Sequence, residues 1–312
     1  MNQPLVSIIT INYNQPQVTA ALLASLPLLT YTNWEMIVVD NASPQYSSIC
    51  LKKDFPFIKH ISCPQNLGFA GGNNVGLHFA KGQYVFFINN DTEVTPSLLT
   101  ELVTYLQSHP ECGIACPKIK YHHTPDTIQY AGAIGLHPLT SRSVDIGYLE
   151  KDNGQYNQSR PTDLPMGAAM LLSMNMIKEV GCMSEMFFLY YEELDWGARI
   201  KKAGYQIHYV GSTEVYHKES LATGKNSVLK TFYLFRNRFL YIRRNYQGTK
   251  WLVASSFFAF ISTPMHICKH ALKKEWGHSK AIFKALFWNC SHAAFNEPLI
   301  NSNTITHQLI VD

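Results

Sequence analysis

Three acidic residues, Glu192, Glu193 and Asp195, directly follow the aromatic-rich run 187–191. Neighbouring carboxylates beside aromatic groups can acquire a raised pKa, which is how a protein tunes a general base. The same acids would fall in the first turn of a predicted helix over 192–203, where negative charge favours the helix dipole. The cluster therefore indicates either a catalytic base or a stabilised helix start.

Asp91 is a second candidate, because Asn89-Asn90-Asp91-Thr92 follows a very hydrophobic predicted strand. A carboxylate at that point can hold a hard divalent cation, and the cation can bridge the two phosphates of a nucleoside diphosphate. An Asx turn would use the same residues for a structural purpose. His217 follows a short predicted strand and could ligate a metal as a neutral imidazole, although a lone histidine is more often structural.

The segment 66–76 is rich in glycine and asparagine and opens a predicted helix. Glycine lets the backbone approach a ligand closely, and a helix N-terminus attracts anions. The spacing fits neither G-x-G-x-x-G nor the P-loop pattern, and the segment follows the third predicted strand rather than the first. A dinucleotide-binding or P-loop protein is therefore disfavoured.

The elements that must position these residues alternate over the first 120 residues or so. Predicted strands cover 5–11, 34–39, 58–62 and 84–88, and predicted helices cover 17–26, 68–80 and 96–108. This order predicts an open, mostly parallel α/β sheet with helices on both faces. Asn12, Asp40 and Asp91 each come just past the end of a strand, where such sheets bind ligands. We therefore expect these three side chains to share a site.

The rest of the chain is less regular. Residues 121–163 read as loops or short strands, 166–172 as a strand and 222–226 as a mobile loop. Residues 228–245 are aromatic and basic at a spacing that suits an amphipathic helix.

Composition is globular, with 46% hydrophobic and 15% charged residues among 312. Residues 1–217 carry 13 Lys+Arg against 18 Asp+Glu, whereas residues 218–312 carry 13 against 4. The basic C-terminal third could face a membrane surface or phosphate groups, or could be a solvated face. Its apolar run 251–264 is too short to span a bilayer but could lie in one interface. Seven cysteines without a C-x-x-C pair favour a reducing cytoplasm.

Taken together, these motifs resemble glycosyltransferase family two, the inverting enzymes of the GT-A fold. Within that family, the chain is similar to the rhamnosyltransferase-like branch of bacterial surface-polysaccharide biosynthesis. The matching segments are 6–14, 38–43, 66–73, 87–92, 187–195 and 215–217. Their order and spacing extend the resemblance over about residues 4–245.

The resemblance implies a role for each candidate on the donor side. The nucleoside would be contacted by Thr10, Asn12 and Asp40, with Asp40 accepting a hydrogen bond from a pyrimidine. The donor pocket would be lined further by Asn66, Gly72, Asn73, Asn90 and Asp91. The cofactor would be Mg²⁺ or Mn²⁺, held by Asp91 and His217 together with the diphosphate.

On the acceptor side, the resemblance makes Glu193 the base that deprotonates an acceptor hydroxyl, with Glu192 and Asp195 as alternatives. Met166, Gly167 and Trp196 would border the acceptor pocket.

Two positions depart from the family pattern. The metal motif is often Asp-x-Asp, and its first position here is Asn89, so Asp91 would be its only charged ligand. The acidic pair is often Glu-Asp and is Glu-Glu here, which leaves open which acid is the base.

We therefore expect a GT-A catalytic domain over 1–227, with a nucleotide-sugar-binding half (1–120) and an acceptor half (121–227). A helical basic region over 228–312 would follow. The expected reaction is metal-dependent transfer of a hexose or deoxyhexose from a nucleoside diphosphate sugar to a saccharide acceptor, carried on a lipid. No nucleic acid is expected as a partner. The expected location is cytoplasmic, peripheral at the inner face of the membrane.

Two other functions fit parts of the sequence. A sugar-nucleotide nucleotidyltransferase would share the sheet and the metal, but would have a Gly-rich basic loop after the first strand, where 12–16 has none. A non-catalytic glycan-binding or scaffold protein would keep the fold without a base.

Overall fold

The structure is a computed structural model that describes residues 3–218, 227–292 and 310–311. Its strands are β1 (Val6–Asn12), β2 (Trp34–Asp40), β3 (Ile58–Ser62), β4 (Tyr84–Ile88), β5 (Thr92–Val94), β6 (Cys112–Tyr121), β7 (Ile128–Tyr130), β8 (Ala133–Ile134), β9 (Val144–Asp145), β10 (Arg160–Thr162), β11 (Ala169–Ser173), β12 (Gln206–His217) and β13 (Ile310–Val311). Its α-helices are α1 (Pro16–Ser25), α2 (Leu51–Asp54), α3 (Gly68–His78), α4 (Leu98–Ser108), α5 (Met174–Val180), α6 (Glu192–Lys202), α7 (Val228–Asn245), α8 (Gly248–Phe257), α9 (Thr263–Leu272) and α10 (Trp276–Ser291).

An 11-stranded sheet forms the centre of the molecule, in the order β10-β12-β6-β11-β4-β1-β2-β3-β13, with β5 on β12 and β7 on β6. The neighbours β3, β2, β1 and β4 are parallel. On the other side, β11 runs antiparallel between β4 and β6, whereas β6 and β12 are parallel. The predicted α/β sheet is confirmed, with four adjacent parallel strands in the N-terminal half.

Helices cover both faces of β1, as the buried β-branched sequence of this strand predicts. A Cβ at Gly76 of α3 would lie 2.4 Å from Cγ2 of Ile9, so α3 packs directly on the face that Ile9 presents. Alternation places Asn12 on the opposite face. There its side chain accepts a hydrogen bond from Thr19 of α1 at 2.8 Å.

The strands after residue 110 depart further from the sequence-based expectation than the earlier ones do. The strand before His217 is predicted to be short, yet β12 has 12 residues. Its pairing with β6 shifts register between Val210 and Glu214, which breaks the alternation by which a strand is recognised. The segment 121–163, predicted as loops or short strands, contains the short strands β7 to β10.

The C-terminal helices pack against the segment just before α6 through a second hydrophobic cluster. This cluster joins Phe187 and Tyr191 to residues of α7, α10 and the π-helical turn that holds Phe258. The α8–α9 stretch, Gly248–Leu272, has 25 residues and is long and apolar enough to cross a membrane. From the sequence, the apolar run 251–264 is expected to be too short to span a bilayer. That expectation is wrong as to length, because the helical stretch continues through Pro264. The predicted loop at 222–226 lies outside the described residues.

Candidate active site

A cavity of about 400 Å³ lies beyond the C-terminal ends of β1, β2 and β4. It is the place where an open α/β sheet is expected to bind a ligand. Its walls come from both halves of the chain. They are formed by Ile11, Tyr13, Gln15, Asn41, Asn66, Gly68, Phe69, Asn73, Ile88, Asn89, Asn90, Asp91, Phe188, Leu189, Tyr190, His217, Leu229 and Lys230.

Asp91 and His217 meet in this cavity although 125 residues separate them in sequence. The pairing of β5 with the end of β12 sets Thr92 opposite His217, and Nε2 of His217 lies 3.1 Å from Oδ1 of Asp91. Nδ1 of His217 lies 2.7 Å from Oε1 of Gln129, an oxygen that can only accept. Nδ1 is therefore the ring nitrogen that can donate to Gln129, and Nε2 is the one that faces Asp91 and the cavity.

These side chains fit two positions of a divalent cation site. A histidine that donates its other ring N–H to an amide oxygen is the usual arrangement of a metal ligand. Asn90 lines the same cavity, and its Nδ2 donates to Thr19 at 3.1 Å. Within 3–218, 227–292 and 310–311, no group of three His, Cys, Asp or Glu side chains forms a metal cage.

An asparagine pair shapes the wall near α3. Nδ2 of Asn41 donates to Oδ1 of Asn66 at 3.1 Å and to the carbonyl of Gly68 at 2.9 Å, while its Oδ1 accepts from the N–H of Leu67 at 2.9 Å. The predicted residue Asn66 thus lies at the cavity, held by Asn41, for which the sequence suggests no role.

Asn73 is a polar residue of α3 that faces the cavity with an unused hydrogen-bond donor. It is 2% exposed, and its Nδ2 has no hydrogen-bond partner within the described part of the chain. A buried donor without a partner is costly unless a ligand supplies one. This placement agrees with a donor-pocket role for Asn73.

Gly72 has a different function from the predicted one. A Cβ at this position would lie 2.8 Å from Cδ1 of Ile11, so glycine is required for α3 to pack on β1. Gly72 is buried and does not line the cavity.

The residues predicted to contact the nucleoside are buried behind the cavity wall. Thr10 and Asn12 are 0% exposed, and Asn12 donates to Ser43 at 3.2 Å. Asp40 accepts hydrogen bonds from the N–H groups of Ser43 and Ser48 and from the hydroxyls of Ser47 and Ser48. Asn12 and Asp40 organise the strand ends, and none of the three side chains is on the cavity surface. Direct contact with a base would need the 40–48 loop to move.

Gly167 links the cavity to the acids at the start of α6. A Cβ at Gly167 would be 3.6 Å from Cγ of Glu193 and 3.7 Å from Cζ of Phe69, so Gly167 borders both Glu193 and this cavity residue. Burial, with a smaller contribution from the Asp145 carboxylate, raises the pKa of Glu193 to about 7. The raised pKa expected of a tuned base is therefore present, next to the cavity rather than on its wall.

Glu192 is buried more deeply. Burial and the charge of Glu193 raise its pKa well above the ordinary value. Its Oε2 has no hydrogen-bond partner within the described residues. Being only 3% exposed, Glu192 is poorly placed to take a proton from a substrate hydroxyl.

The other two predicted residues of α6 are structural. Asp195 accepts from Arg199 of its own helix at 3.2 Å and from Arg244 and Asn245 of α7 at 3.0 Å each. Both of its oxygens are occupied, so Asp195 is excluded as the base. Trp196 is 0% exposed and donates through Nε1 to the carbonyl of Gly181 at 2.8 Å. Its predicted place beside an acceptor pocket is wrong, because the indole belongs to the core.

The loop before α6 brings the two sides together. Phe188, Tyr190 and Tyr191 have φ values of 61°, 70° and 75°, which are unfavourable for side chains other than glycine. Gly68, at φ 70°, allows close approach, since a Cβ there would lie 2.1 Å from the carbonyl oxygen of Phe188. The adjacent Phe69 N–H donates to that oxygen at 2.5 Å. The glycine-rich segment thus approaches another part of the backbone here.

Comparison with known proteins identifies the class. A family model described as glycosyl transferase family 2 matches residues 7–175, more than half of the chain. The chain therefore belongs to glycosyl transferase family 2 and is a glycosyltransferase. The match ends before α6, so Glu193, His217 and α7 lie beyond it.

Among curated relatives, the chain is 27% identical over 243 residues to the low-salt glycan biosynthesis hexosyltransferase Agl10 of Haloferax volcanii, covering 75% of this chain and 74% of that protein. It is 23% identical over 265 residues to the N-acetylglucosaminyl-diphospho-decaprenol L-rhamnosyltransferase of Mycobacterium tuberculosis, covering 77% and 85%.

Solved structures support the GT-A fold. The mannosyltransferase PcManGT from Pyrobaculum calidifontis, in complex with GDP-Man and Mn²⁺, aligns with a TM-score of 0.57 at 13% identity, over 95% of this chain and 77% of that one. S. aureus TarS 1-349 with UDP-GlcNAc aligns with a TM-score of 0.57 at 16% identity, over 90% and 80%. The predicted GT-A fold and family are therefore confirmed.

Proposed function

We propose that the chain is an inverting, metal-dependent glycosyltransferase that moves a hexose or deoxyhexose from a nucleoside diphosphate sugar to a lipid-linked saccharide. Surface-polysaccharide synthesis would be its setting. The observation that carries this proposal is one cavity that joins Asp91 and His217 to Phe69, while Gly167 borders both Phe69 and Glu193, whose pKa is raised to about 7. The names of the two relatives, a hexosyltransferase and a rhamnosyltransferase acting on a diphospho-decaprenol acceptor, support the substrate class.

In this reaction, the carboxylate of Glu193 accepts the proton of an acceptor hydroxyl. The oxygen attacks the anomeric carbon from the face opposite the diphosphate, and the bond from that carbon to the phosphate oxygen breaks. Configuration inverts and a nucleoside diphosphate leaves. A pKa of about 7 leaves the base largely deprotonated above neutrality while it is still basic enough to take the proton.

The donor side holds the leaving group. Asn73 offers an unpaired amide N–H, and Lys230 lines the same cavity with a positive charge. A divalent cation on Asp91 and His217 would neutralise the charge that develops on the diphosphate. The structures with Mn²⁺ of similar fold support this choice of cofactor.

A panel of nucleoside diphosphate sugars, scored by acceptor-dependent release of nucleoside diphosphate with and without Mn²⁺, tests the function. We expect release from one sugar class that requires the metal. Asp91→Ala should remove the metal-dependent part of donor binding, whereas Asp126→Ala, an acid away from the cavity, should not. Equal donor affinity with and without Mn²⁺ in the parent would refute the role of Asp91. Release of pyrophosphate from a sugar phosphate and a nucleoside triphosphate would indicate the nucleotidyltransferase alternative.

We also propose that the α8–α9 stretch docks on the inner membrane surface in the interfacial plane. Phe260 and Ile261 are 79% and 55% exposed, while Phe258 on the other side is 2% exposed and stacks on Phe239 of α7 at 5.3 Å. A membrane-spanning arrangement would require the stretch to leave that contact. The excess of basic residues over 218–312 suits an anionic lipid surface.

Vesicle co-sedimentation tests this docking. Phe260→Asp should reduce binding to phosphatidylglycerol vesicles, whereas Tyr46→Asp, at a side chain 57% exposed in the N-terminal half, should not. Equal sedimentation of the two variants would contradict the proposal. Extraction that requires detergent instead of salt would indicate a spanning helix.

A further inference from the structure

Two residues in the middle of α7, Arg236 and Asn237, bind the loop that precedes α6. Nη2 of Arg236 donates to the carbonyls of Met186 at 2.7 Å and Phe187 at 2.5 Å. The Asn237 amide lies within hydrogen-bond distance of three carbonyls, those of Phe187 at 2.8 Å, Leu189 at 2.7 Å and Tyr190 at 2.7 Å. The two side chains are 6% and 0% exposed. Water therefore does not compete for these bonds.

The loop depends on such bonds because its conformation is intrinsically unfavourable. Phe188, Tyr190 and Tyr191 all have left-handed φ values, and such residues persist only when their surroundings hold them. Asn237 lies within reach of three of the loop's carbonyls, and the loop belongs to no strand and to no regular α-helix that would hold it. Backbone carbonyls buried without donors are costly, and Asn237 supplies a donor at the centre of the turn.

The loop connects the two chemical sides of the cavity. Phe188, Leu189 and Tyr190 line the cavity, and Glu192 and Glu193 begin α6 immediately afterwards. A rotation of the loop would move the first turn of α6, and with it Glu193, relative to Phe69. An error of about 1 Å in the position of a catalytic group can cost roughly 100-fold in rate.

Arg236 is itself fixed in place. Its guanidinium lies 4.7 Å from the ring centroid of Tyr233 and 4.6 Å from that of Trp288 on α10, and its Nε donates to Oδ1 of Asn237 at 2.7 Å. This last bond orients the Asn237 amide so that its N–H groups point to the carbonyls. The pair therefore acts as one unit.

We propose that Asn237 and Arg236 are positioning residues for glycosyl transfer, which hold the 187–191 turn so that the acidic start of α6 faces the cavity. This inference rests on the proposed role of the α6 acids. It extends the catalytic unit into α7, beyond the region that the family match covers. The C-terminal helices are thereby part of the active site as well as a basic surface.

Asn237→Asp tests the proposal, since it keeps the shape but replaces the donor with an acceptor that repels the carbonyls. Asn289→Asp is the matched control, because Asn289 is 3% exposed and donates at 3.0 Å to the carbonyls of Arg236 and Ala285 without touching the loop. At saturating substrates and well below both melting temperatures, we expect kcat to fall roughly 100-fold for Asn237→Asp and less than about threefold for the control. Asn237→Gln, which keeps the amide, should recover part of the loss.

Hydrogen–deuterium exchange of the peptide 187–193 provides the second readout. Exchange should increase in Asn237→Asp and stay at the parent level in Asn289→Asp. Unchanged exchange in that peptide, or equal kcat in the two variants, would overturn the proposal. If Glu193→Gln is active while Asn237→Asp is not, the assignment of the base fails and the positioning role stands. If no sugar donor reacts with any variant, exchange alone still decides whether Asn237 holds the turn.

Discussion

Asp40, at the end of β2, and Glu193, at the start of α6, are carboxylates on opposite sides of the same site, and their surroundings differ. Asp40 accepts hydrogen bonds from two backbone N–H groups and two hydroxyls, all from its own loop. Burial acts to raise its pKa, but the bonds from Ser48, Ser43 and Ser47 outweigh burial and the pKa is lowered. Glu193 has no comparable donors, and burial raises its pKa to about 7.

The difference shows that burial alone does not decide the chemistry of a carboxylate in this protein. Burial acts to raise both pKa values, and the supply of donors determines the direction of the net shift. The charged Asp40, which accepts four hydrogen bonds, organises backbone. Glu193, without such a set of donors, retains basicity that a reaction can use. The pKa of Glu192 is raised as well, because this side chain is buried more deeply and its neighbour Glu193 is also an acid.

The largest expected effect comes from removing the proposed base, Glu193. Glu193→Gln should lower kcat by about 100- to 10,000-fold, the range that general base catalysis supplies. Donor affinity measured by calorimetry should stay at the parent value, because the side chain is not part of the cavity wall. Glu192→Gln, the matched variant next to it, should retain most of the activity. Near-normal turnover of Glu193→Gln, with loss in Glu192→Gln, would reverse the assignment.

The pH dependence of kcat in the parent enzyme tests whether a carboxylate with a raised pKa is the base. The base must be deprotonated, so kcat should rise with pH to a half-maximum near 7 and then level off, as burial sets the pKa of Glu193 at about 7. A rate profile under saturating donor and acceptor measures this. A half-maximum near the ordinary glutamate value of about 4.3 would place the base elsewhere.

The carboxylate of Asp40 accepts hydrogen bonds from Ser43, Ser47 and Ser48. Asp40→Asn should destabilise the fold by about 2–4 kcal/mol, because some of these donors would then face the N–H groups of an amide. The lowered folded pKa of Asp40 means that its stabilisation is complete above its unfolded pKa, about 3.9, and is lost as the pH falls through the folded value. Urea unfolding should show the full difference at pH 7 and a smaller one below about pH 3.5. The same difference at both pH values would mean that the Asp40 charge contributes nothing.

The smallest expected effect is a gain in stability from Glu192→Gln. The folded pKa of Glu192 is raised, so its favourable contribution is complete below its unfolded pKa, about 4.3, and declines as the pH rises. Glutamine does not titrate, and the variant should therefore gain in Tm relative to the parent by about 2–4 °C more at pH 8 than at pH 5. A scanning calorimeter measures both values. A larger gain at pH 5 would contradict the pKa direction.

Much of the N-terminal half could be predicted because its signals are local. Strands β1, β2, β3 and β4 are apolar runs bounded by turn residues, and their predicted bounds agree with the structure within about a residue. The long strand β12 could not be predicted in full, because a register shift hides its periodicity. For Thr10, Asn12 and Asp40, the sequence places the residues at the strand ends but does not reveal that they are buried behind the cavity.

The sequence by itself determined the class: the order of strands and helices, Asp91 after a buried strand, and three acids in the first turn of α6. Only the tertiary structure decided which acid can act as a base. Asp195 accepts hydrogen bonds from Arg244 and Asn245, Glu192 is only 3% exposed, and Glu193 borders Gly167 with its pKa raised to about 7. The deciding partners lie on α7, about 50 residues away, and hydrogen-bond supply at that separation is set by packing, which no local pattern encodes.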